Sequence, residues 1–340
     1  MTRRRSRAGC FTRIVAMLLV LAMIVAGAAY VSLTTPYQAF TQPVILEFPK
    51  GTSTQSMGQQ LAAAGVIHYP WQFLAARALH PNARLMAGEY QFKQAASTLT
   101  VFNRIARGDI FFYEVTVPEG SNIFDIAGIV GRIEFLKSAD FLKAARDPAP
   151  IHDIAPSATT LEGYLFPSTY RITRSTTVLQ LCRMMTDQFR KHWRELQNPG
   201  QTAVLPEIVT LASLIEKETA VPEERPVVAS VYLNRLRLGM QLECDPTTIY
   251  AALLEGHYRG VIHRSDLDST NPYNTYRHAG LPPGPIANPG ALSLKAALSP
   301  AQTDYLFFVA KADGSGGHQF SKTMAEHGQA VQEYRHAQSK

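Results

Sequence analysis

The sequence predicts an α+β protein with a single N-terminal transmembrane helix, a small α+β subdomain and a larger mixed α+β domain. Three observations support this prediction. Residues 14–31 form an unbroken apolar run, short alternating segments follow it between helical segments, and long helical periodicities occupy most of the second half. The chain has 340 residues, of which 46% are hydrophobic, and this is enough for one large or two modest domains.

The apolar run at residues 14–31 is uncharged and lies near the lower limit of the roughly 17–25 residues that cross a bilayer. The arginines that precede it are Arg3, Arg4, Arg5, Arg7 and Arg13. Because positive charge stays on the cytoplasmic side, we predict a cytoplasmic tail at 1–13, a span of the inner (plasma) membrane at 14–33, and an extracytoplasmic, periplasmic remainder. A cleavable signal peptide is the alternative, with cleavage near 26–28. Signal cores are usually shorter, about 7–15 residues, which favours a retained anchor.

The charge of the chain argues against a nucleic-acid partner. The formal net charge is +6, but five of the 33 Lys and Arg residues lie in the first 13 positions. The other 28 nearly balance the 27 acidic residues, so the folded part has no basic excess.

We interpret Cys182 and Cys244 as free thiols, with a disulfide between them as the alternative. The histidines lack the spacing of metal ligands, and no metal or other cofactor is expected.

A polar linker at 34–43 precedes the small subdomain, which we place at 44–117. Its predicted strands are 44–48, 88–92 and 111–117, and its predicted helices are 56–64, 70–79 and 98–108. A weak internal repeat pairs residues 45–51 with 114–120, each a strand followed by a Pro-x-Gly turn and a helix. This pattern resembles half of a LysM-like glycan-binding module. A plain structural α+β subdomain is the alternative.

The larger domain, at 118–340, is predicted to be mostly helical. Helices are expected within 121–153 and at 177–196, from 208, at 227–238, from about 247, at 292–298 and at 324–338, a strand at 305–309, and a turn at 314–317 that leads into 318–320. Residues 272–290 contain five prolines and three glycines, which preclude regular structure. A loop of this length in a compact domain usually lines a site or is disordered.

The helix from residue 208 carries the candidate general acid. Its apolar residues recur at helical spacing and place Glu218 within the apolar sector, whereas Glu216 falls on the solvated flank near Lys217. A buried carboxyl group holds its proton near neutral pH because burial disfavours the charged form. The alternative is that Glu218 is ion-paired with Lys217 or Arg225 at a helix end and has no chemical role.

A second acid lies in an aromatic-rich loop at 161–170. Glu162 stands beside Tyr164, and aromatic rings with a polar neighbour suit the apolar faces of sugars. An aromatic core with Glu162 capping a turn is the alternative. Glu162 and Asp245 are possible carboxylate partners of Glu218.

The chain contains no nucleophile elbow, Walker loop, dinucleotide fingerprint or His-Glu-x-x-His helix.

Three blocks of sequence resemble those of the endolytic murein transglycosylases, the MltG or YceG-like family. They are LASLIEKETA, SVYLNRLRLGMQLECDPTTIY and NTYRHAGLPPGPIANPG, within a resemblance that covers roughly residues 44–334. One departure is Ser168, where the family often has Asp. The resemblance implies a LysM-like subdomain between the membrane and a catalytic transglycosylase domain, with Glu218 as the catalytic acid.

The resemblance also implies the reaction. Such an enzyme cleaves the MurNAc–GlcNAc β-1,4 bond within peptidoglycan strands and leaves 1,6-anhydro-MurNAc ends. We expect the substrate-binding residues to be Glu162, Tyr164, Asp245, Thr247, Asn274, Thr275 and Tyr276. The expected partners are glycan strands and the lipid bilayer, with peptidoglycan synthases of the penicillin-binding type as candidates. The alternative is a non-catalytic, membrane-anchored peptidoglycan-binding or scaffold protein of the cell-wall synthesis machinery.

Overall fold

A computed structural model describes residues 5–197 and 204–338 of the chain, with side chains from residue 11. The described residues therefore exclude Arg3, Arg4 and the turn at 198–200. The described side chains also exclude those of Arg5 and Arg7. The chain is a mixed α+β structure that divides into two compact units, residues 1–113 and 114–340. Each unit is described by itself.

The first helix, α1 (Arg5–Thr34), contains the predicted span. Within its segment Phe11–Thr34, a window of 18 residues has a mean hydropathy of 2.7, and no residue of that window is buried in the protein. A helix of 24 residues is about 36 Å long, which exceeds the roughly 30 Å hydrocarbon core of a bilayer. By length and composition, α1 can serve as a membrane anchor.

The first unit continues as a strand, two helices, a second strand and a third helix. These are β1 (Val44–Phe48), α2 (Thr54–Ala63), α3 (Pro70–Leu79), β2 (Gly88–Phe92) and α4 (Thr98–Arg107). The two strands pair antiparallel, from Val44 opposite Phe92 to Phe48 opposite Gly88. Ser53 and Ser97 accept hydrogen bonds from the first turns of α2 and α4. The predicted strands at 44–48 and 88–92 and the helix at 70–79 are confirmed.

The strand predicted at 111–117 does not join the sheet of β1 and β2. It is β3 (Tyr113–Thr116), and it pairs with β4 (Thr169–Ile172) in a separate two-stranded sheet. The pairing continues past the strand, because the amide of Val117 donates to the carbonyl of Ser168 at 2.9 Å. Most of β3 therefore belongs to the second unit, although the sequence grouped it with the small subdomain.

The second unit is dominated by helices. After β3 come α5 (Ile123–Val130), α6 (Ser138–Ala145), β4, α7 (Val178–Leu196), α8 (Leu205–Glu218), α9 (Arg225–Arg237), α10 (Asp245–Leu254), α11 (Arg264–Leu267), α12 (Ala291–Leu298), β5 (Phe307–Ala310), β6 (His318–Ser321) and α13 (Met324–Gln338). Residues 272–290 contain neither helix nor strand, as predicted. The helical stretch expected at 121–153 is interrupted, because the Ser138 hydroxyl bonds the carbonyl of Ala127 where the chain turns between α5 and α6.

Helix α8 lies in the interior of this unit. Every residue from 209 to 215 is buried, and α9, α10 and α12 pack against the helix. The middle of α8 is therefore buried all round, whereas Glu207 and Lys217 near its two ends are exposed. The solvated flank that the sequence predicted is limited to these ends, because neighbouring helices cover the middle.

Glycine is required where the aromatic-rich loop meets α8. Gly163 has φ +87°, and a Cβ there would lie 2.5 Å from Cγ of Pro285 and 2.7 Å from Cγ1 of Val209. Gly239 ends α9 in a left-handed conformation, with φ +68°, as the sequence predicts. A Cβ added at this position would have no other atom within 4 Å.

These two glycines provide a matched test of packing. Gly239→Ala should lower the free energy of unfolding by roughly 1–2 kcal/mol, which is the cost of a left-handed non-glycine residue. Gly163→Ala should cost about 1–3 kcal/mol more, because the same strain is combined with overpacking. Denaturant unfolding followed by circular dichroism measures both values. Equal losses would show that residues 163, 209 and 285 are not in close contact.

Candidate active site

Glu218 is the last residue of α8, and its side chain is half-buried. The Cys244 thiol donates a hydrogen bond to its Oε1 at 3.0 Å. Burial raises the pKa of Glu218 above its ordinary value, and the nearby charge of Asp245 raises it further. Hydrogen bonding from Cys244 and Tyr232 and the charge of His318 act in the opposite direction but do not cancel the effect of burial. The direction of this pKa shift, towards the protonated form, is the one expected for an acid in an apolar sector.

Three groups around Glu218 come from distant parts of the chain. Tyr232 lies on α9 and is 1% exposed, Cys244 immediately precedes α10, and His318 begins β6. Burial raises the pKa of the Tyr232 hydroxyl and of the Cys244 thiol well above their ordinary values, so both remain protonated. The hydroxyl of Tyr232 makes no hydrogen bond of ordinary geometry, although it is close enough to influence the carboxyl group.

The sequence did not identify these three residues as part of the site. Cys244 was interpreted only as a free thiol, and His318 as one of several scattered histidines. Both cysteines are buried free thiols, so the disulfide alternative is wrong. The only sequence signal for Cys244 is its position directly before Asp245-Pro246, in a block that resembles the transglycosylase family.

His318 is fixed to the chain that follows Glu218. Its Nδ1 lies 2.8 Å from Oε2 of Glu224, and its backbone amide donates to Oε1 of the same carboxylate at 2.8 Å. The Thr219 hydroxyl also donates to Glu224, at 3.4 Å. This carboxylate therefore holds the beginning of β6 against the end of α8.

Glu216 is not solvated, contrary to the sequence prediction. Its side chain is 5% exposed and accepts hydrogen bonds from Nη2 of Arg225 at 3.2 Å and from the amide of Gly290 at 2.8 Å. Lys217 donates instead to the carbonyl of Gly120. The ion pair that the sequence considered for Glu218 thus belongs to Glu216, because the flank of α8 on which Glu216 lies is covered by the 290 region and α9.

Glu162 does not face an open cleft. It is 1% exposed and accepts three hydrogen bonds, from the amide of Ile123 at 2.9 Å, the hydroxyl of Tyr250 at 3.0 Å and Nδ2 of Asn288 at 2.8 Å. Burial raises the pKa of Glu162 to about 8, although the hydrogen bonds from Ile123 and Tyr250 oppose the rise. Its neighbour Tyr164 is fully buried. The protein encloses both side chains, which favours the core interpretation, and their contact with substrate stays a prediction.

Asn274 and Thr275 are buried as well, and they organise the loop rather than present groups to a sugar. Nδ2 of Asn274 donates to three carbonyls, among them that of Ser269 at 2.8 Å. The Thr275 hydroxyl accepts from the amide of Cys244 at 3.0 Å and lies 2.9 Å from the Thr247 hydroxyl. Protein partners occupy the polar groups of Thr247, Asn274 and Thr275, and direct substrate contact by these residues stays a prediction.

The remaining two predicted residues are accessible. The Tyr276 hydroxyl donates to Oδ1 of Asp245 at 2.6 Å; Tyr276 is half-buried and Asp245 exposed. Asp245 is also close enough to Glu218 to raise its pKa. The structure therefore brings Glu218, Asp245 and Tyr276 to one accessible region.

The loop before Asp245 is held by a buried arginine that the sequence did not single out. Arg235, on α9, donates to the carbonyls of Gln241 and Leu242 and to the side chain of Glu243. Glu243 has φ +52°, a left-handed conformation that persists only where the surroundings enforce it. This local constraint directs the following residue, Cys244, towards Glu218.

Comparisons with known proteins identify the family of this chain. A profile of the YceG-like family matches residues 46–333. The chain belongs to the YceG-like family.

Among the described residues there is no group of three or more His, Cys, Asp and Glu side chains that could hold a metal ion.

Relatives of this YceG-like protein include enzymes named for their activity. An endolytic murein transglycosylase from Bacillus subtilis (strain 168) is 30% identical, over 92% of this chain and 91% of its own length. One from Streptococcus pneumoniae serotype 2 (strain D39 / NCTC 7466) is 27% identical over 86% of this chain, which spans only 58% of that longer protein. A crystal structure of a YceG-like protein from Listeria monocytogenes superposes with a TM-score of 0.56, at 32% identity, covering 85% of this chain and 99% of that one.

The hydrogen bonds of Glu162 predict a structural role that can be measured. Glu162→Gln should lower the free energy of unfolding by about 1–3 kcal/mol, because an amide nitrogen would face one of three donors and leave it without an acceptor. Glu207→Gln, on the exposed first turn of α8, is the control and should change stability by less than about 0.5 kcal/mol. Denaturant unfolding measures both, and an unchanged Glu162→Gln stability would contradict the buried network.

Proposed function

We propose that this protein is a membrane-anchored endolytic lytic transglycosylase that cleaves the MurNAc–GlcNAc β-1,4 bond within peptidoglycan strands. The product carries a 1,6-anhydro-MurNAc end, and cleavage terminates the elongation of nascent strands. The observation that carries the proposal is the half-buried carboxyl group of Glu218, whose pKa is raised and which lies beside the accessible pair Asp245 and Tyr276. Membership of the YceG-like family and relatives named endolytic murein transglycosylases support it.

In the proposed reaction, Glu218 acts first as a general acid. Its proton passes to the glycosidic oxygen as the bond from that oxygen to C1 of the muramic acid residue breaks. The carboxylate that remains then accepts the proton of the C6 hydroxyl of the same sugar, whose oxygen forms a bond to C1. The 1,6-anhydro ring closes, and Glu218 is protonated again. One carboxyl group completes both steps, whereas the usual hydrolytic glycosidases employ two.

The surroundings of Glu218 suit an alternation between these two charge states. Burial favours the acid form before cleavage. After the proton has left, the Cys244 thiol, which donates to Oε1 at 3.0 Å, stabilises the carboxylate. The thiol has a raised pKa and remains a donor throughout the reaction. The pair Asp245–Tyr276 would contact the sugar, since it combines a carboxylate with an aromatic ring at the accessible edge.

The compartment follows from the anchor. With its arginine-rich tail in the cytoplasm, α1 would cross the inner membrane once and place residues beyond 34 in the periplasm or its equivalent. Nascent glycan strands emerge at that surface, so peptidoglycan synthases of the penicillin-binding type would be partners.

We also propose that residues 44–92 form a LysM-like module, which the strand–helix–helix–strand order and the antiparallel pair of β1 and β2 support.

The alternative is an anchored scaffold or peptidoglycan-binding protein without activity. The two functions are separated by incubating the full-length protein, in detergent, with isolated peptidoglycan and analysing the products by mass spectrometry. Anhydro-muropeptides with internal cleavage support the transglycosylase, and intact strands that merely retain the protein support the alternative.

Glu218→Gln should abolish cleavage while the protein stays folded, because glutamine has a similar shape but neither donates nor accepts the proton. Loss of general acid–base help alone costs about 10²–10⁴-fold in rate, and one residue here serves in both steps. Release of anhydro-muropeptides measures the rate. The control is Glu223→Gln, an exposed residue that makes no side-chain contribution to the site and should retain full activity.

Glu216→Gln separates the two glutamates of the Glu-Lys-Glu-Thr run. The sequence places Glu216 on a solvated flank, where its substitution should have little effect. The ion pair with Arg225 changes that expectation, since the variant leaves the buried Arg225 facing only the more distant Glu119 carboxylate, at 3.9 Å, among its described ion pairs, and should be less stable. An inactive, fully stable Glu216→Gln together with an active Glu218→Gln would reverse the two assignments.

Cys244→Ala should shift the basic limb of the kcat/KM pH profile to higher pH. The thiol bonds the charged form of Glu218 and thereby lowers its pKa, so removal of the thiol raises the pKa and the acid form persists to higher pH. The rate of cleavage should also fall about tenfold or more, since a hydrogen bond to a charged group is worth roughly 1.5–3 kcal/mol.

Cys244→Ser is the matched control for this prediction. Its hydroxyl can still donate to Glu218, so both the rate and the position of the basic limb should stay closer to those of the parent protein. If both variants lose activity equally with an unshifted limb, Cys244 merely fills space beside Glu218 and does not influence its proton.

A further inference from the structure

Helix α3 is apolar on two sides. Its sequence, PWQFLAARAL, contains one charged residue, Arg77, and no acid. The inner side, which includes Phe73 and Ala76, is fully buried against the core of the first unit. A helix on the surface of a water-soluble domain usually presents a polar outer side, so an apolar one indicates that something else covers it.

The outer side of α3 carries the residues at helical spacing that remain uncovered. Trp71 is 45% exposed, Leu74 is 41% exposed, Ala75 is partly exposed and Ala78 is exposed. Their spacing of i, i+3, i+4 and i+7 places them on one side of the helix. Tyr69, which directly precedes the helix, is 50% exposed. These five residues are called the α3 outer face.

Direct hydrogen bonds join the first turn of α3 to the end of the membrane-spanning helix. Nε2 of Gln72 donates to the backbone carbonyl of Ser32 at 2.9 Å and to its hydroxyl at 2.7 Å. Ser32 is the first residue after the apolar run at 14–31. The next residue, Leu33, is 3% exposed, so the end of α1 is packed into the same unit.

Ring contacts reinforce this junction. The ring centroid of Tyr37 lies 4.6 Å from that of His68, and the His68 centroid lies 4.0 Å from that of Tyr69. The chain that leaves α1 is therefore tied to the residues that begin α3. Trp71 is adjacent to Gln72, and consequently it lies close to the level at which α1 would leave the hydrocarbon core.

We propose that the α3 outer face lies in the interfacial layer of the bilayer, in contact with phospholipid headgroups and the first carbons of the acyl chains. This inference rests on the proposed membrane anchoring of α1. Tryptophan and tyrosine favour this layer because their rings combine an apolar body with a polar group. Leu74, Ala75 and Ala78 add apolar area, and the absence of acidic residues from α3 avoids repulsion by anionic lipids.

The bilayer covers the α3 outer face better than other occupants do. A second copy of the chain or a glycan strand could contact exposed aromatic rings, but neither explains why the face begins where the membrane span ends. With α1 and α3 both in contact with lipid, the first unit has two membrane attachments and a fixed tilt on the surface. A single span would leave the tilt free.

The two tryptophans of the chain allow a direct test. They are Trp71 and Trp193, and Trp193 is 5% exposed in the second unit. The full-length Trp193→Phe variant, reconstituted in nanodiscs of phosphatidylcholine and phosphatidylglycerol, reports on Trp71 alone. The matched Trp71→Phe variant reports on Trp193. Fluorescence is measured with ordinary lipids, with lipids brominated near the headgroup end of the acyl chain, and with aqueous iodide.

The inference predicts that brominated lipids quench most of the Trp71 emission, whereas iodide quenches it weakly and brominated lipids leave Trp193 unaffected. Strong quenching by iodide without quenching by brominated lipids would overturn it, because the face would then be open to water. Protection from both quenchers would also overturn it in favour of a protein partner or a second copy. If Trp193→Phe fails to fold, the difference in emission between the parent protein and Trp71→Phe gives the same information.

Failure of this inference can be told apart from failure of the anchor. Co-elution of the protein with nanodiscs on size exclusion tests α1, and a protein that does not co-elute contradicts both the anchor and the α3 contact. A protein that co-elutes but whose Trp71 is quenched only by iodide retains the anchor and loses the α3 contact. Neither result bears on cleavage by Glu218, which is measured separately by product analysis.

Discussion

The burial of the middle of helix α8 is the constraint on which the second unit depends. Residues 209–215 are enclosed by α9, α10 and α12, so the helix can end only where a polar group finds partners. Glu218 occupies that end, and its carboxyl group is flanked by a thiol that stays protonated and by the charges of Asp245 and His318. The same burial that stabilises the helix therefore raises the pKa of the residue at its end.

A relay of hydrogen bonds extends this constraint to the long loop. Asn274 fixes the loop through backbone carbonyls, Thr275 holds the amide of Cys244, and Cys244 donates to Glu218. On the other side, Asn288 joins the loop to Glu162 and to the amide of Leu165. The polar residues of the loop act mainly by positioning, and the accessible chemistry is confined to a few side chains around Glu218.

Much of the fold could be predicted from local patterns, because helix periodicity, turn residues and an apolar run act over short stretches. The helices at 70–79 and 324–338 and the irregular loop at 272–290 are examples. Errors occurred where a prediction depended on a partner distant in the chain. The strand at 113–116 pairs with residues 169–172, and Glu216 meets Arg225 and Gly290, neither of which its own helix reveals.

The sequence by itself determined the apolar N-terminal helix, the order of most elements and the position of Glu218 one turn beyond the apolar residues of its helix. Periodicity suffices for these, since each is a property of neighbouring residues. Only the tertiary structure decided that Glu162, Asn274 and Thr275 are enclosed, and that Cys244, Tyr232 and His318 surround Glu218. Several of those contacts join residues far apart in the chain, up to 126 positions for Glu162 and Asn288, and their geometry depends on how α8, the loop and β6 pack together.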